Sequence, residues 1–329
     1  MSGPMWMPTA APDLSRLLAF HPQPVPVFPV GALLALIAYG AGVRRLRRSG
    51  TRWPLARTAT FVLGLASVVL VTGTGIGGYG MRLFSVHMAQ HMVLSMLSPV
   101  LLLIGAPVTL ALRTLPGGRR GARGMLLAAL HSRAARILTA PMITIPLFLG
   151  SLYGLYFTSI FDAAMSTWWG HTLMLGHFLF VGLLFFWPIL AIDPSPRHTG
   201  HGLRLVELIA ATPFHAFFGI AVMMSTRPIV NFFTRTSAAW GISPTSDQVT
   251  AGSIAWASSE IPTVLVALLV AVSWAKASDR EARRQDREAD RTGDQQLEAY
   301  NAYLAGLAGH SYAARQASAG YRSQEGSQL

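Results

Sequence analysis

Cysteine is absent from the 329 residues. That removes disulfides, thiolate metal sites and thiol catalysis together. Carboxylates are scarce as well. Of 14 Asp and Glu, eight lie beyond residue 278, so the first 278 residues hold only six. Charged residues make up 12% of the chain, against about 25% in a soluble domain, while 52% are hydrophobic. A chain with so little charge needs lipid as the solvent for most of its surface. Catalytic signatures are missing too. There is no HExxH, no GxSxG and no P-loop, and an enzyme is not expected. The segment 73–80, GTGIGGYG, lacks the lysine of a phosphate loop and reads as a flexible external turn. The net charge of +12 is in the range of nucleic-acid binders. Its placement argues otherwise, because the arginines sit in short loops between apolar runs.

Those runs define the fold class: an all-α polytopic membrane protein of about seven transmembrane helices. The first is Val25–Val43, stopped by Arg44, Arg45, Arg47 and Arg48. Others cover about 58–76, 84–112, 137–157, 168–192, 205–226 and 251–275, each near the ~20 residues that cross a ~30 Å hydrocarbon layer. Orientation follows from the basic residues. If the loops alternate sides, 22 Lys and Arg fall on the side of the C-terminus and only Arg16, Arg82, Arg227 and Arg235 on the other. The N-terminus is therefore expected outside and the C-terminus in the cytoplasm, in a multi-pass plasma-membrane protein. Residues 1–24 form an external Pro-rich N-terminus with no signal-peptide pattern. Residues 25–275 form the membrane domain. Residues 276–329 form a charged cytoplasmic tail, a solvated helix fraying into disorder.

Ionisable groups inside a bilayer are expensive and usually functional. Counting 1.5 Å per residue from the expected helix ends puts His87, His91, His171, His177 and Glu260 in the outer half of the membrane. His215 lies near mid-depth. Glu207 falls near the inner end, within reach of Arg204 at i−3. His87 and His91 are i,i+4 and share a face, with Gln90, Ser95 and Ser98 continuing that polar stripe. Met88, Met92 and Met96 run along its edge, and Met174 projects between His171 and His177. Imidazole binds several transition metals, and thioether selects soft Cu(I). Histidine and methionine without cysteine point to copper as metal. Bis-His haem ligation and a His/Glu proton path are rival uses of the same residues.

The same segments resemble a known family, the seven-helix CtaG-type cytochrome c oxidase assembly factors, in its actinobacterial form. The segments that match are His87-Met-Ala-Gln-His91-Met, Ile104-Gly-Ala-Pro107 through Arg113, His177-Phe through Trp187-Pro, Ile192-Asp-Pro, Thr212-Pro-Phe-His215-Ala-Phe-Phe-Gly219, Asp247-Gln248, Trp256 and Glu260-Ile-Pro262. The first two helices match by hydropathy only. The resemblance implies a role in assembling haem–copper terminal oxidases, whose subunits become expected partners. A periplasmic or membrane copper donor is a further expected partner. Some members carry this domain behind a CopD-like copper-resistance membrane domain, for which 329 residues leave no room. Together the readings nominate His87, His91, His171, His177 and His215 as metal ligands. Glu260, Met88, Met92 and Met174 support them, and the role is copper delivery to the oxidase. A copper or other transition-metal transporter and a b-type haem protein are the alternatives.

Overall fold

The computed structural model describes residues 2–118, 121–197, 199–236, 240–292 and 298–308. Arg119, Arg120, Arg315 and Arg322, counted in the basic split above, lie outside the described residues, as do 293–297 and 309–329 of the expected tail. Helix accounts for 77% of the chain, with no strand among the described residues, so the fold class is all-α. By internal contacts the chain divides into two units, Met1–Ala271 and Val272–Leu329. In the second, the described residues are helical, and their charges are solvated.

The membrane elements are α1 (Val27–Arg48), α2 (Leu55–Gly73) and α3 (84–104), then α4 (Pro141–Tyr156), α5 (Trp168–Leu190), α6 (His201–Met224), α7 (Pro244–Ser258) and α8 (Glu260–Thr292). Six stretches among the described residues are long and apolar enough to cross a membrane: α1, α2, α3 with its continuation to Thr114, α5, α6, and α7 with α8. The fourth expected span is shorter. Its apolar run is cut at Ala140, where the helix Arg133–Leu138 stops and Pro141 starts a new one. Proline is at home in the first turn of a helix but not further in. The remaining 16 residues of α4 reach only about 24 Å.

α3 lies at the centre of the first unit and packs on α2, α5 and α7, while α6 packs on α7, and α4 on α5 and α6. Small residues set these seams, as expected where lipid is no less apolar than leucine and helices associate by close packing. At Gly182 on α5, an added Cβ would lie 2.1 Å from the Ser95 carbonyl oxygen of α3. Gly219 and Gly252 play the same part for α6 against α7, each meeting the other's carbonyl within 2.9 Å.

α3 is not a regular helix. Phe84–Met92 is α-helical, Val93–Leu97 is a π turn in which Ser98 N–H donates to the Val93 carbonyl, and Ser98–Ile104 is α-helical again. The extra residue turns the inner half of α3 relative to the outer half. Ser98, expected on the histidine stripe, instead shares a 2.7 Å hydrogen bond with Ser67 of α2. Beyond Ile104 the chain breaks at Gly105–Ala106, and Ala106 is left-handed (φ 52°). The helix Pro107–Thr114 follows.

Two buried aspartates fix helix starts, where backbone N–H groups have no intrahelical partner. Asp247, from α7, accepts from Phe84 N at 2.6 Å and Ser85 N at 3.2 Å, holding the outer end of α3. Asp193 accepts from Val108 N at 3.0 Å and Thr109 N at 2.7 Å. Each meets the partial positive charge of a helix N-terminus, which explains how a carboxylate is tolerated there.

The N-terminal segment packs on the end of the bundle where α3 begins, which the arginine count predicts to be the outer one. Asp13 caps the short helix Leu14–Leu18; hydrogen bonds from Ser15 and Arg16 hold its carboxyl below the usual carboxylate range. Trp6 stacks on His21 with centroids 3.7 Å apart. The Tyr79 hydroxyl donates to the Ala10 carbonyl at 3.0 Å. This contact corrects one expectation, since 73–80 is no flexible turn. Gly75–Tyr79 is a buried helical turn. A Cβ at Gly78 would come within 2.1 Å of the Trp6 ring, and one at Gly75 within 2.0 Å of the Arg16 carbonyl.

Candidate metal centre

The outer half of α3 carries His87 and His91 into the bundle, and both are buried. His171, four residues after the Thr167 cap of α5, is buried beside them. The His87 and His171 rings are 6.0 Å apart between centroids. Their environment is aromatic: His87 meets Phe161 edge-on at 5.1 Å and Phe233 at 5.9 Å. Among the described residues His171 Nε2 and Gln90 Oε1 have no hydrogen-bond partner, and His87 is met only by the Gly80 carbonyl, too poorly aligned for a full hydrogen bond. A buried imidazole left without a partner costs about 1–3 kcal/mol, and native structures carry few such groups. The Gln90 amide is anchored at its other end, donating to the Val71 carbonyl of α2 at 2.8 Å. A cavity of about 30 Å³ reaches this spot, lined by Gln23, Pro26, Thr72, Gly77, Gln90 and His171 among others. It is large enough for a water or an ion.

His91 is held differently. It stacks on Phe178 at 3.6 Å and shares a 3.0 Å hydrogen bond between Nδ1 and the hydroxyl of Tyr156 on α4. His215, on α6, is buried and sits 3.3 Å from Met92 Sδ through Nε2. A thioether can only accept, so Nε2 carries the proton and donates to Sδ. The lone pair then resides on Nδ1, which has no partner among the described residues. A second cavity of about 10 Å³ adjoins this ring, with Met96, Thr212, Ser259 and Thr263 in its wall.

Four of the five nominated histidines are therefore inside the bundle. His177 is not: its side chain is exposed and bonded to Ser151 of α4 at 2.7 Å. The reason is helical phase. Six residues separate it from His171, which at about 100° per residue puts the two some 120° apart, so one faces in when the other faces out. Glu260 is also misplaced by the sequence reading. It is exposed at the break between α7 and α8, with no place among the imidazoles. Met88, Met92 and Met174 are buried, and of these Met92 touches a nominated ligand. Among the described residues no three His, Asp or Glu groups lie close enough together to hold a metal ion. The arrangement offers pairs instead: His87 with His171, and His215 with Met92. Glu207 is buried near the inner end of α6 with Oε1 unpartnered, while Arg204 Nε donates to Thr199.

Residues 37–277, which include every nominated histidine, match the family described as Cytochrome c oxidase caa3 assembly factor (Caa3_CtaG). The chain belongs to that family. It is 44% identical over 299 residues to Uncharacterized protein Mb0105 of Mycobacterium bovis, covering 89% of this chain and 45% of that protein. The same identity and shares hold for Uncharacterized protein MT0111 of Mycobacterium tuberculosis. Uncharacterized protein ML1998 of Mycobacterium leprae is 43% identical over 279 residues, which is 83% of this chain and 42% of that protein. The chain thus spans less than half the length of the curated relatives it matches. No solved structure matches it.

Within this caa3 assembly factor chain, several motif residues prove to act on position. Asp193 and Asp247 are the two helix caps. Gln248 ties the 225–229 loop down, accepting from Ile229 N at 2.7 Å and donating to the Ser225 and Arg227 carbonyls. Sequence reasoning did not find Tyr156, Phe161 or Phe178, the rings that wall the histidines. No local pattern marks an aromatic residue as a wall for a side chain on another helix.

Proposed function

We propose that this chain helps assemble a haem–copper terminal oxidase in the plasma membrane by holding copper as cargo in the outer half of its helix bundle. Family membership supports the process. The carrying observation for the metal is the His87–His171 pair: two buried imidazoles side by side, with His171 Nε2 unpartnered and His87 met only by the Gly80 carbonyl. Two metal–nitrogen bonds of about 2.0 Å each, added to the radii of two imidazole rings, come to nearly the observed 6.0 Å between centroids. His215 Nδ1 adds one further nitrogen donor, and Met92 Sδ becomes a thioether donor for Cu(I) only once the Nε2 hydrogen bond to it is broken. An ion fits better than a porphyrin. Phe161, Phe178, Tyr156 and Phe233 fill the space around the rings, and the adjoining cavities are only about 30 and 10 Å³. The chemistry is binding and release, not catalysis.

Deleting the gene should lower haem–copper oxidase activity while the oxidase polypeptides are still made. Added copper should restore part of the activity, because free metal bypasses a carrier by mass action. Unchanged oxidase activity in copper-limited medium would refute the proposal. The reading also takes the N-out, C-in orientation from the basic split. A phosphatase fused after Leu329 should be inactive and a cytoplasmic reporter active; the reverse pattern would invert the bundle and put the histidines near the cytoplasm.

A further inference from the structure

The α1–α2 loop makes a second, unrelated site. It encloses a cleft of about 430 Å³, lined by Arg47, Gly50, Thr51, Arg52, Trp53 and Leu55. Its floor is Trp53, only 4% exposed. The indole is fixed from below, since Nε1 donates to the Tyr39 hydroxyl at 3.0 Å, and that hydroxyl donates to the Gly105 carbonyl at 2.8 Å. Arg57 and Arg113 stand over the same ring, 5.1 and 6.0 Å from its centroid. Two guanidiniums thus stand over one tryptophan, and Arg47 and Arg52 line the cleft beside it. Among the described residues the side chains of Arg47 and Arg52 are exposed and form no ion pair or hydrogen bond. Asp193, one of the acids at this end of the bundle, has both oxygens occupied by Val108 and Thr109. Among the described residues no carboxylate pairs with Arg47 or Arg52.

The same two helices carry a second cavity, of about 500 Å³ and wholly apolar, whose wall includes Ala32, Ala35, Phe61, Leu65, Leu102 and Leu183. Leu55 lines the basic cleft and Phe61 the apolar groove; six residues of α2 separate them, about 9 Å along the axis. An anion-receptive cleft at the level of an interfacial tryptophan, with an apolar groove deeper along the same helix, has the two halves of a phospholipid's chemistry. We propose that the Arg47–Arg52–Trp53 cleft binds the phosphodiester headgroup of an anionic phospholipid in the leaflet faced by the basic loops, with an acyl chain in the α1–α2 groove. The site is independent of the copper reading. Basic pockets at helix ends recognise such headgroups, and each arginine near a membrane surface contributes about fivefold in affinity.

The test uses the full chain in detergent, stripped of lipid, with three probes: phosphatidylglycerol, phosphatidylcholine of the same acyl chains, and inorganic phosphate. Thermal midpoint and lipid retained in native mass spectra are the readouts. Phosphatidylglycerol should bind and raise the midpoint, and the other two should not. The Arg47→Gln, Arg52→Gln double variant should bind it about 30-fold more weakly, two losses of about fivefold compounded, with an unchanged midpoint in the absence of lipid. Ala35→Phe, which fills the groove, should also weaken binding. Equal binding of phosphatidylcholine, stabilisation by inorganic phosphate alone, or full affinity in the double arginine variant would each overturn the proposal. The exposed arginines keep the test valid even if Ala35→Phe does not fold.

Discussion

A His87→Leu, His171→Leu double variant should bind copper at least about 100-fold more weakly, fail to support oxidase assembly, and yet fold as well as the parent or better. Loss of copper affinity follows from losing both members of the pair, since disturbing groups that merely orient a metal ligand already costs about 10–100-fold. The stability half is the sharper claim. A structural histidine in a core gives hydrogen bonds, and removing it leaves partners stranded at about 1–3 kcal/mol each. Among the described residues His87 would leave behind only the poorly aligned Gly80 carbonyl, and His171 Nε2 no group at all. Leucine of similar size among Phe161, Phe233 and Met88 should pack without penalty, raising or preserving the thermal midpoint. Measurement needs copper titration of purified protein, thermal unfolding in detergent, and oxidase activity in cells at matched membrane levels. A variant that unfolds early would return these rings to an architectural role. One that folds and fully supports assembly under copper limitation would remove them from the function. His91, tied to Tyr156, makes the contrast: His91→Leu strands the hydroxyl and should lower stability.

The second large effect concerns Gly182. Alanine there should leave little folded protein, while Gly150→Ala should be neutral or slightly stabilising. Both glycines lie inside membrane helices, and residue type alone predicts the same modest gain for both, because alanine outranks glycine in helices by about 1 kcal/mol. Their surroundings separate them. A Cβ at Gly182 would sit 2.1 Å from the Ser95 carbonyl oxygen and 2.7 Å from the Pro99 ring. Backbone and proline cannot rotate aside, so α5 must move off α3 and take His171 away from His87. Overpacking commonly costs about 1–3 kcal/mol, and this contact belongs at or beyond the upper end. At Gly150 nothing lies within 4 Å. Yield of monodisperse protein and thermal midpoint, compared between the two variants, check the prediction. A well-folded Gly182→Ala protein would show that the α3–α5 seam is looser than described.

Much of this was legible from the chain. Hydropathy located α1, α2, α3, α5 and α6 because lipid leaves a helix no way to hide polar backbone except in its own hydrogen bonds. Helical phase put His87 and His91 on one face. The same arithmetic had His171 and His177 about 120° apart, but a sequence does not say which of two divergent faces is buried, and His177 was carried along with its neighbour. Glu260 departs for the same reason. Depth does not decide which face of a helix is buried, and Glu260 lies on the exposed face next to the buried Ser259. Capping by Asp193 and Asp247 was beyond reach, because each joins groups 84 to 163 residues apart, and no local rule links a carboxylate to the helix it will start. The GTGIGGYG segment shows the converse error. Its glycines mark close approach by Trp6 and Arg16, where freedom of the backbone had been inferred.

The π turn at Val93–Leu97 has a mechanical consequence. In an unbroken α-helix His87 and Ser98, eleven residues apart, would lie within about 20° of each other around the axis. One additional residue in the winding offsets them by about a quarter turn, so that imidazoles point to α5 while Ser98 meshes with α2. The two halves of α3 behave like cams keyed to one shaft at different angles. The seating of the inner half on Ser67 sets the azimuth of the outer half, and with it the aim of His87 and His91. Rewinding those five residues into α-helix exchanges one hydrogen-bond pattern for another, yet swings the histidine face by roughly 100° and shifts it by about 1.5 Å. The direction in which the imidazoles point is thus geared to how tightly a single turn is wound.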